Sequence, residues 1–185
     1  MSLAAITPPS HGVVIDLAYA GADNFTGKPV YARAACYLHA DAERALRRAV
    51  TLAAVHGLRL KIFDAFRPSE AQWVLWNHTP DLEFLADPRR GSPHSRGVAI
   101  DVTLIDGGGR ELDMGTSFDA FTPLSHHGNL ALSVEAQRNR ALLLGLMTAA
   151  DWDFYGNEWW HYQLFGSRRY PLLGDSVLPE GMMAA

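Results

Sequence analysis

Two short segments that lie far apart along the chain most constrain what it can fold into. One reads SPHSRGVAID and supplies His94 and Asp101, and the other reads EWWH and supplies Glu158 and His161. A hydrolytic zinc site needs three protein ligands, an open coordination position for water and a nearby carboxylate that takes up a proton. Two imidazoles and two carboxylates match that need, so the fold must bring the two segments together.

The first segment is typical of a loop that enters a strand. Apolar residues occupy every second position from Val98 onward, which places Asp101 on the less apolar face of the strand. Pro93 and Gly97 argue against a helix through His94. We therefore expect His94 in the preceding loop, with Gly97 allowing the turn that brings the imidazole back towards Asp101.

The second segment also predicts a strand, because Trp159, His161 and Gln163 alternate with bulky residues of the other face. Glu158 stands three positions before His161, a separation that puts the two side chains on opposite faces of a regular strand. Glu158 therefore has to lie in the turn after Gly156, or at a bulge, to reach the same metal ion.

The combination Ser-x-His-x-x-Gly-x-Ala-x-Asp with a later Glu-x-Trp-His resembles the zinc D-alanyl-D-alanine peptidases, and specifically the VanX-like D-alanyl-D-alanine dipeptidases. The resemblance extends from about Asp16 to Leu173 and covers further blocks in the family's order. These blocks are Asp23–Val30, Asp64–Pro68, His94–Gly97, Asp113–Asp119 and Ser125–His127. The arginine block and the tryptophan-flanked second histidine make the resemblance specific.

The resemblance implies one zinc ion per chain and a role for each of several side chains. Three would bind the zinc ion, one would be the general base, one would stabilise the oxyanion, and two would help bind the free amino end of a dipeptide. The zinc ligands would be His94, Asp101 and His161. Glu158 would be the general base, and Arg67 would stabilise the oxyanion. Asp119 and Ser92 would help bind the amino end. The chemistry agrees, because a carboxylate can take the proton of an attacking water and a guanidinium can face the negative charge that develops.

Simpler interpretations exist for several of these residues. Arg67 could be a structural arginine paired with Asp64, and Asp119 could only cap a turn. The adjacent His126 and His127 could suggest a second metal site. Because neighbouring side chains diverge, we expect them instead at the rim of a pocket or in solvent.

The pattern along the chain predicts an α+β domain. A helix is expected from Asp41, which would cap it, to Gly57, and a strand follows it. Ser69 and Gln72 form a capping box for the next helix, and a long helix begins near Ser133. That last helix would carry Leu142, Gly145, Leu146 and Ala149 on one side. We expect an antiparallel sheet that carries the zinc site, with helices packed behind it, which the resemblance identifies as a D-Ala-D-Ala peptidase or Hedgehog-like fold.

Length and composition favour a single domain over residues 1–185. A net charge of -4 gives no reason to expect a nucleic acid or an anionic membrane as partner. Cys36 is the only cysteine, so no intrachain disulfide can form. No signal peptide or membrane-spanning stretch is visible, and we expect a cytoplasmic protein, with periplasmic residence left open. No feature predicts an oligomeric state.

The sequence therefore predicts a zinc-dependent dipeptidase that hydrolyses D-alanyl-D-alanine, with a small dipeptide as its partner. One alternative is a D,D-carboxypeptidase or endopeptidase of the same fold that acts on longer cell-wall peptides. A second alternative, from another class, is a non-catalytic binding module with a structural zinc ion. Glu158 distinguishes them, because a structural zinc site has no use for an additional carboxylate.

Overall fold

The computed structural model describes residues 3–184, in which two sheets combine with α-helices. The strands are β1 (Leu3–Ala5), β2 (Val14–Ile15), β3 (Tyr37–His39), β4 (Arg59–Asp64), β5 (Ala99–Ile105), β6 (Trp152–Phe154) and β7 (His161–Leu164). The α-helices are α1 (Pro8–His11), α2 (Ala40–Val55), α3 (Ser69–His78) and α4 (Val134–Ala149). The α+β architecture predicted from the sequence is confirmed.

The main sheet has five strands in the order β2-β4-β5-β7-β6, and β1 pairs with β3 separately. The sequence predicted an antiparallel sheet, and this is wrong at one edge, because β2 runs parallel to β4. The chain between them crosses over through α2, the kind of connection that parallel neighbours require. The other pairs of the sheet are antiparallel, including the central β4, β5 and β7.

Helices α2 and α4 pack on the face of the sheet opposite the two histidines and Asp101. Leu46 of α2, Ile62 of β4, Val102 of β5 and Leu143 of α4 belong to one buried apolar cluster. Burial of a large apolar side chain contributes about 1.5–3 kcal/mol, so this cluster fixes the sheet on its helices. Helices packed behind the sheet were predicted from the sequence and are confirmed.

The helices begin where the sequence predicted, but the two predicted N-terminal caps are wrong. Helix α2 is capped by the ring of His39, which accepts a hydrogen bond from the Asp41 N–H at 3.1 Å, so Asp41 is not the cap. The capping box at the start of α3 is also wrong, because Ser69 donates to the Leu173 carbonyl instead and Gln72 turns inward. Ser133 does cap α4, accepting from the Ala136 N–H at 3.0 Å.

The buried face of α4 differs from the predicted one. Gly145 and Ala149 are exposed, whereas Arg140, Leu143 and Met147 are buried. The prediction counted small residues as apolar, but the helix turns its larger side chains, and one arginine, towards the protein. Within residues 3–184 no helix has the length and apolar content needed to cross a membrane.

A β-bulge interrupts the pairing of β4 with β5. Ile62 pairs with Val102, but the next pair is Asp64 with Asp101, so Phe63 is an extra residue in β4. A bulge re-aims the side chains that follow it and is common beside functional sites. Here it puts the carboxylate of Asp64 next to the strand that carries Asp101.

Candidate active site

The fold brings His94, Asp101 and His161 together. Asp101 on β5 and His161 on β7 are direct partners in the sheet register, and His94 lies in a 3-10 turn just before β5. Gly97 ends that turn with φ of 68°, and a Cβ there would lie 2.6 Å from Leu3 Cδ2, so the position requires glycine. The predicted loop, turn and strand around His94 are confirmed.

Three ligand atoms of these residues face one another at short range. His94 Nε2 lies 3.1 Å from His161 Nδ1, which lies 3.1 Å from Asp101 Oδ1, and His94 Nε2 lies 3.3 Å from the same oxygen. Ligands about 2.0–2.1 Å from a tetrahedral zinc ion are roughly 3.3 Å from each other, so the spacing fits that ion. All three side chains are buried.

The outer nitrogens of both imidazoles support the same conclusion. His94 Nδ1 donates to the Ala65 carbonyl at 2.7 Å, and His161 Nε2 lies 3.3 Å from the Gln163 carbonyl oxygen Oε1, to which it donates. In the neutral rings the inner nitrogens are then acceptors. Two nitrogens and one carboxylate oxygen therefore face one another with no proton between them, and a bound cation would satisfy all three. Although burial alone would raise the pKa of Asp101, the two imidazoles hold it well below its ordinary value.

Glu158 lies beside this group without joining it. It sits in the turn before β7, as the sequence predicted, and its Oε2 is 3.9 Å from His161 Nδ1. Among residues 3–184 the group that could hold a metal ion consists of His94, Asp101 and His161 alone. Burial, followed by the charges of Asp101 and Asp119, raises the pKa of Glu158 well above its ordinary value. A raised pKa makes this carboxylate a stronger proton acceptor than an exposed glutamate.

Arg67 is held rigidly at the edge of the same site. Its Nε donates to Asp64 Oδ2 at 2.8 Å, its Nη1 donates to Gln72 Oε1 at 2.9 Å, and its Nη2 lies 3.5 Å from Asp101 Oδ2. The guanidinium also covers the ring of Tyr19, with 5.0 Å from Cζ to the centroid. Arg67 is therefore paired with Asp64, as its structural interpretation required, and it also lines the cavity. Because a guanidinium has five N–H groups, some stay free to face a substrate.

Asp119 presents a carboxylate oxygen that has no partner. Its Oδ1 accepts from the Tyr19 hydroxyl at 3.1 Å, whereas Oδ2 is buried without a hydrogen bond within the described part of the chain. Its backbone has φ of 58°, in the left-handed region, where aspartate is tolerated at a cost. Burial, followed by the charge of Asp101, raises the pKa of Asp119 to about 8. A cation arriving beside Oδ2 would restore the charged form.

The remaining predicted residues occupy the rim and the surroundings. Ser92 is buried, lines the cavity and accepts from the His94 N–H at 3.2 Å, which leaves its hydroxyl proton available. His126 Nε2 lies 3.0 Å from Glu83 Oε1, outside the metal group. Burial lowers the pKa of His127 to about 4, which keeps that ring neutral.

These side chains line a cavity of about 330 Å³. This volume is near the lower end of the roughly 300–1,000 Å³ range of small-molecule sites. Its wall includes Arg67, Ser92, Asp119 and Trp160 together with the metal group and Glu158. A ligand the size of two small amino acids would therefore reach both the metal group and Asp119.

One arginine of α4 fixes the loop that carries Asp119. Arg140 donates to the carbonyls of Met114, Leu124 and His126 at 2.6, 2.9 and 3.1 Å. Its Nη2 also reaches Thr116 Oγ1, which accepts from the Trp159 indole at 2.9 Å. The loop and the segment next to Glu158 are thus tied to the same helix.

Four residues around the site were missed in the sequence. Tyr19, Gln72, Arg140 and Gln163 each bind a predicted site residue or the loop that holds it. Arg140 ends a polar run in the first half of α4, where the sequence does not distinguish it from Arg138, whereas the alternation of β7 put Gln163 on the face of His161. Tyr19 stands 100 positions from Asp119, and no local pattern connects the two.

Replacement of Gln72 by leucine is expected to lower kcat roughly tenfold, because a hydrogen bond to a charged group is worth about 1.5–3 kcal/mol. Gln72 joins Arg67 to the Ala86 carbonyl, to which its Nε2 donates at 2.7 Å. Steady-state kinetics measures the change in kcat. We expect a smaller fall in kcat for Gln72→Glu, because glutamate keeps an acceptor for Arg67. Gln137 is a matched control, because it also donates to a backbone carbonyl but lies on α4 away from the site. An equal loss in Gln137→Leu would contradict a positioning role for Gln72.

A family model and several known proteins match this chain, and all of them carry the same description. The model of the peptidase M15 family, described as D-ala-D-ala dipeptidase, matches residues 2–172. The D-alanyl-D-alanine dipeptidase of Escherichia coli strain K12 is 45% identical over 175 residues, covering 95% of this chain and 89% of the relative. Proteins of the same name from Enterococcus faecium and Enterococcus faecalis are 35% and 34% identical, each covering 83% of this chain and 87% of the relative.

Proposed function

Because the chain belongs to the D-ala-D-ala dipeptidase family and is a metallopeptidase, we propose that it is a zinc-dependent dipeptidase that hydrolyses D-alanyl-D-alanine to two molecules of D-alanine. The observation that carries the proposal is the unpartnered Oδ2 of Asp119 in the cavity that also holds Glu158 and the metal group. A free ammonium group brings that oxygen both a hydrogen bond and a positive charge, and the amide N–H of a continuing peptide chain lacks the charge. The family assignment leaves the non-catalytic module without support.

His94, Asp101 and His161 would hold the metal ion. When bound there, a zinc ion would polarise the peptide carbonyl and lower the pKa of a water molecule to about 7. The outer hydrogen bonds of the two imidazoles to Ala65 and Gln163 fix which nitrogen of each ring faces the ion.

Glu158 would move the proton. It accepts the proton of the attacking water as the C–O bond forms, and it delivers a proton to the amine as the C–N bond breaks. Its raised pKa suits the first step, because burial makes the carboxylate a stronger proton acceptor. Arg67 faces the carbonyl oxygen, where a fixed guanidinium contributes roughly 3 kcal/mol to the stability of the developing negative charge.

Asp119 and Ser92 would select the substrate. Asp119 Oδ2 binds the ammonium group, and the resulting ion pair keeps the carboxylate charged in spite of its burial. Ser92, next to His94 in the chain and in the cavity wall, can add a hydrogen bond. A substrate with a blocked amine has only a neutral amide N–H to offer, so it cannot form the ion pair that keeps the buried carboxylate charged.

The test compares D-alanyl-D-alanine with its N-acetylated form, using the zinc-loaded protein. We expect kcat/KM to be roughly tenfold to hundredfold higher for the free dipeptide, as the loss of a charge-assisted hydrogen bond implies. Asp119→Asn should lower kcat/KM for the free dipeptide and leave the blocked one nearly unchanged. Faster cleavage of the blocked compound by the wild-type protein would reject the dipeptidase and favour a carboxypeptidase or endopeptidase.

A further inference from the structure

The cavity contains an unassigned group of positive charges at the end away from Glu158 and Asp119. Along β7 the chain passes from Glu158 through His161 and Gln163, and Leu164 then continues the ladder by donating to the Val98 carbonyl at 2.9 Å. The 3-10 turn Ser167–Arg169 follows. Arg168 of this turn lines the cavity, as does Arg96, which stands just before β5. The backbones of the two arginines therefore lie beyond His161 along β7, on the side away from Glu158.

Neither of these arginines is neutralised within residues 3–184. Arg168 has no hydrogen bond or ion pair there, and Arg96 donates only to the carbonyls of Tyr170 and Arg90. Asp87, which also lines the cavity, is paired with Arg89 at 2.8 Å.

Two cations in the wall of one cavity, neither of them paired with a carboxylate among residues 3–184, form a site for an anion. Arginine is well suited to a carboxylate, because its N–H groups match both oxygens. Asp119 and Glu158 line the same cavity, and Glu158 precedes β7 whereas Arg168 follows it. The cavity is thus acidic at one end and basic at the other, with the metal group between them, which complements a zwitterion.

We propose that Arg168, with Arg96 beside it, binds the free carboxylate of the dipeptide. This inference rests on the proposed function, because it requires the amino end at Asp119 and the scissile bond at the metal group. Two residues span about 7 Å when extended, so a dipeptide can place its ends on either side of that group. Arg168 is then a specificity residue that favours substrates ending at this position.

The test measures KM and kcat of zinc-loaded Arg168→Gln with D-alanyl-D-alanine and with its C-terminal amide. We expect KM for the dipeptide to rise roughly tenfold to hundredfold, with kcat changed less. KM for the amide should already be high in the wild-type protein and should not rise further. Arg168→Lys, which keeps the charge, should recover part of the affinity. Arg169→Gln is the matched control, because Arg169 is exposed like Arg168 but does not line the cavity.

The outcomes separate the two proposals. If the wild-type protein cleaves the dipeptide and Arg168→Gln keeps the wild-type KM, the carboxylate site is wrong and the dipeptidase stands. An equal rise of KM in Arg169→Gln, or an equal rise for the amide, also overturns the site, since either result indicates a general effect of surface charge. If the wild-type protein does not cleave the dipeptide at all, the proposed function itself fails.

Discussion

Replacement of Glu158 by glutamine is expected to lower kcat by about 10²- to 10⁴-fold, the range for loss of a positioned general base. Glutamine has nearly the same shape but cannot take the proton of the attacking water. Glu158 lies outside the metal group, with 3.9 Å between its Oε2 and His161 Nδ1, so zinc should still bind with a stoichiometry of one. Turnover of D-alanyl-D-alanine and metal content, measured on the same sample, check both statements.

Glu83→Gln is the control for this experiment. Glu83 also lines the cavity, but its carboxylate is half exposed and lies beside His126 rather than beside the metal group. We expect that variant to keep near wild-type activity. Full activity in Glu158→Gln, or loss of the metal from it, would remove Glu158 as the base.

Removal of the metal ion is expected to abolish hydrolysis and to lower the melting temperature. The three acceptor atoms of His94, Asp101 and His161 lie 3.1–3.3 Å apart and repel one another without a cation. A ligand present at about a thousand times its dissociation constant stabilises the folded state by about 4 kcal/mol. Calorimetric titration of the chelated protein should give one zinc ion per chain, and scanning calorimetry should show the rise in melting temperature.

Two variants test whether His94, Asp101 and His161 form the zinc site. Asp101→Asn should weaken zinc binding, because asparagine is a poorer ligand and lacks the charge, and it should reduce the gain in melting temperature on zinc addition. His126→Gln should leave both unchanged, because His126 lies outside the metal group. A stoichiometry of two, or the same loss of affinity in both variants, would contradict a single site at His94, Asp101 and His161.

The sequence predicts the strands that carry the site because their patterns are local. Alternation places Asp101 on β5, and the odd spacing of Glu158 from His161 places Glu158 before β7, where the structure has it. Gly97 marks the turn that returns His94 to the strand. These features depend on a few consecutive residues, so they are visible without a tertiary structure. The roles of these residues remain predictions that the experiments above test.

Other features depend on partners that no local pattern identifies. The two-residue strand β2 is too short to show alternation, so its parallel pairing with β4 could not be predicted. His39 caps α2 because its ring points back at the first turn, a geometry that its sequence position does not reveal. Gln72 looks like part of a capping box, yet burial turns it towards Arg67.

The bulge at Phe63 gives two consecutive residues separate tasks. The Phe63 ring stacks on Phe118, next to Asp119, with centroids 4.8 Å apart, while Asp64 holds Arg67. In a strand without the bulge, Phe63 and Asp64 would project to opposite faces of the sheet. Shortening β4 by one residue would place the Phe63 ring opposite Asp101. Insertions and deletions should therefore be tolerated in the glycine-rich turn after β5 and not in β4, where the length of the strand is dictated by chemistry.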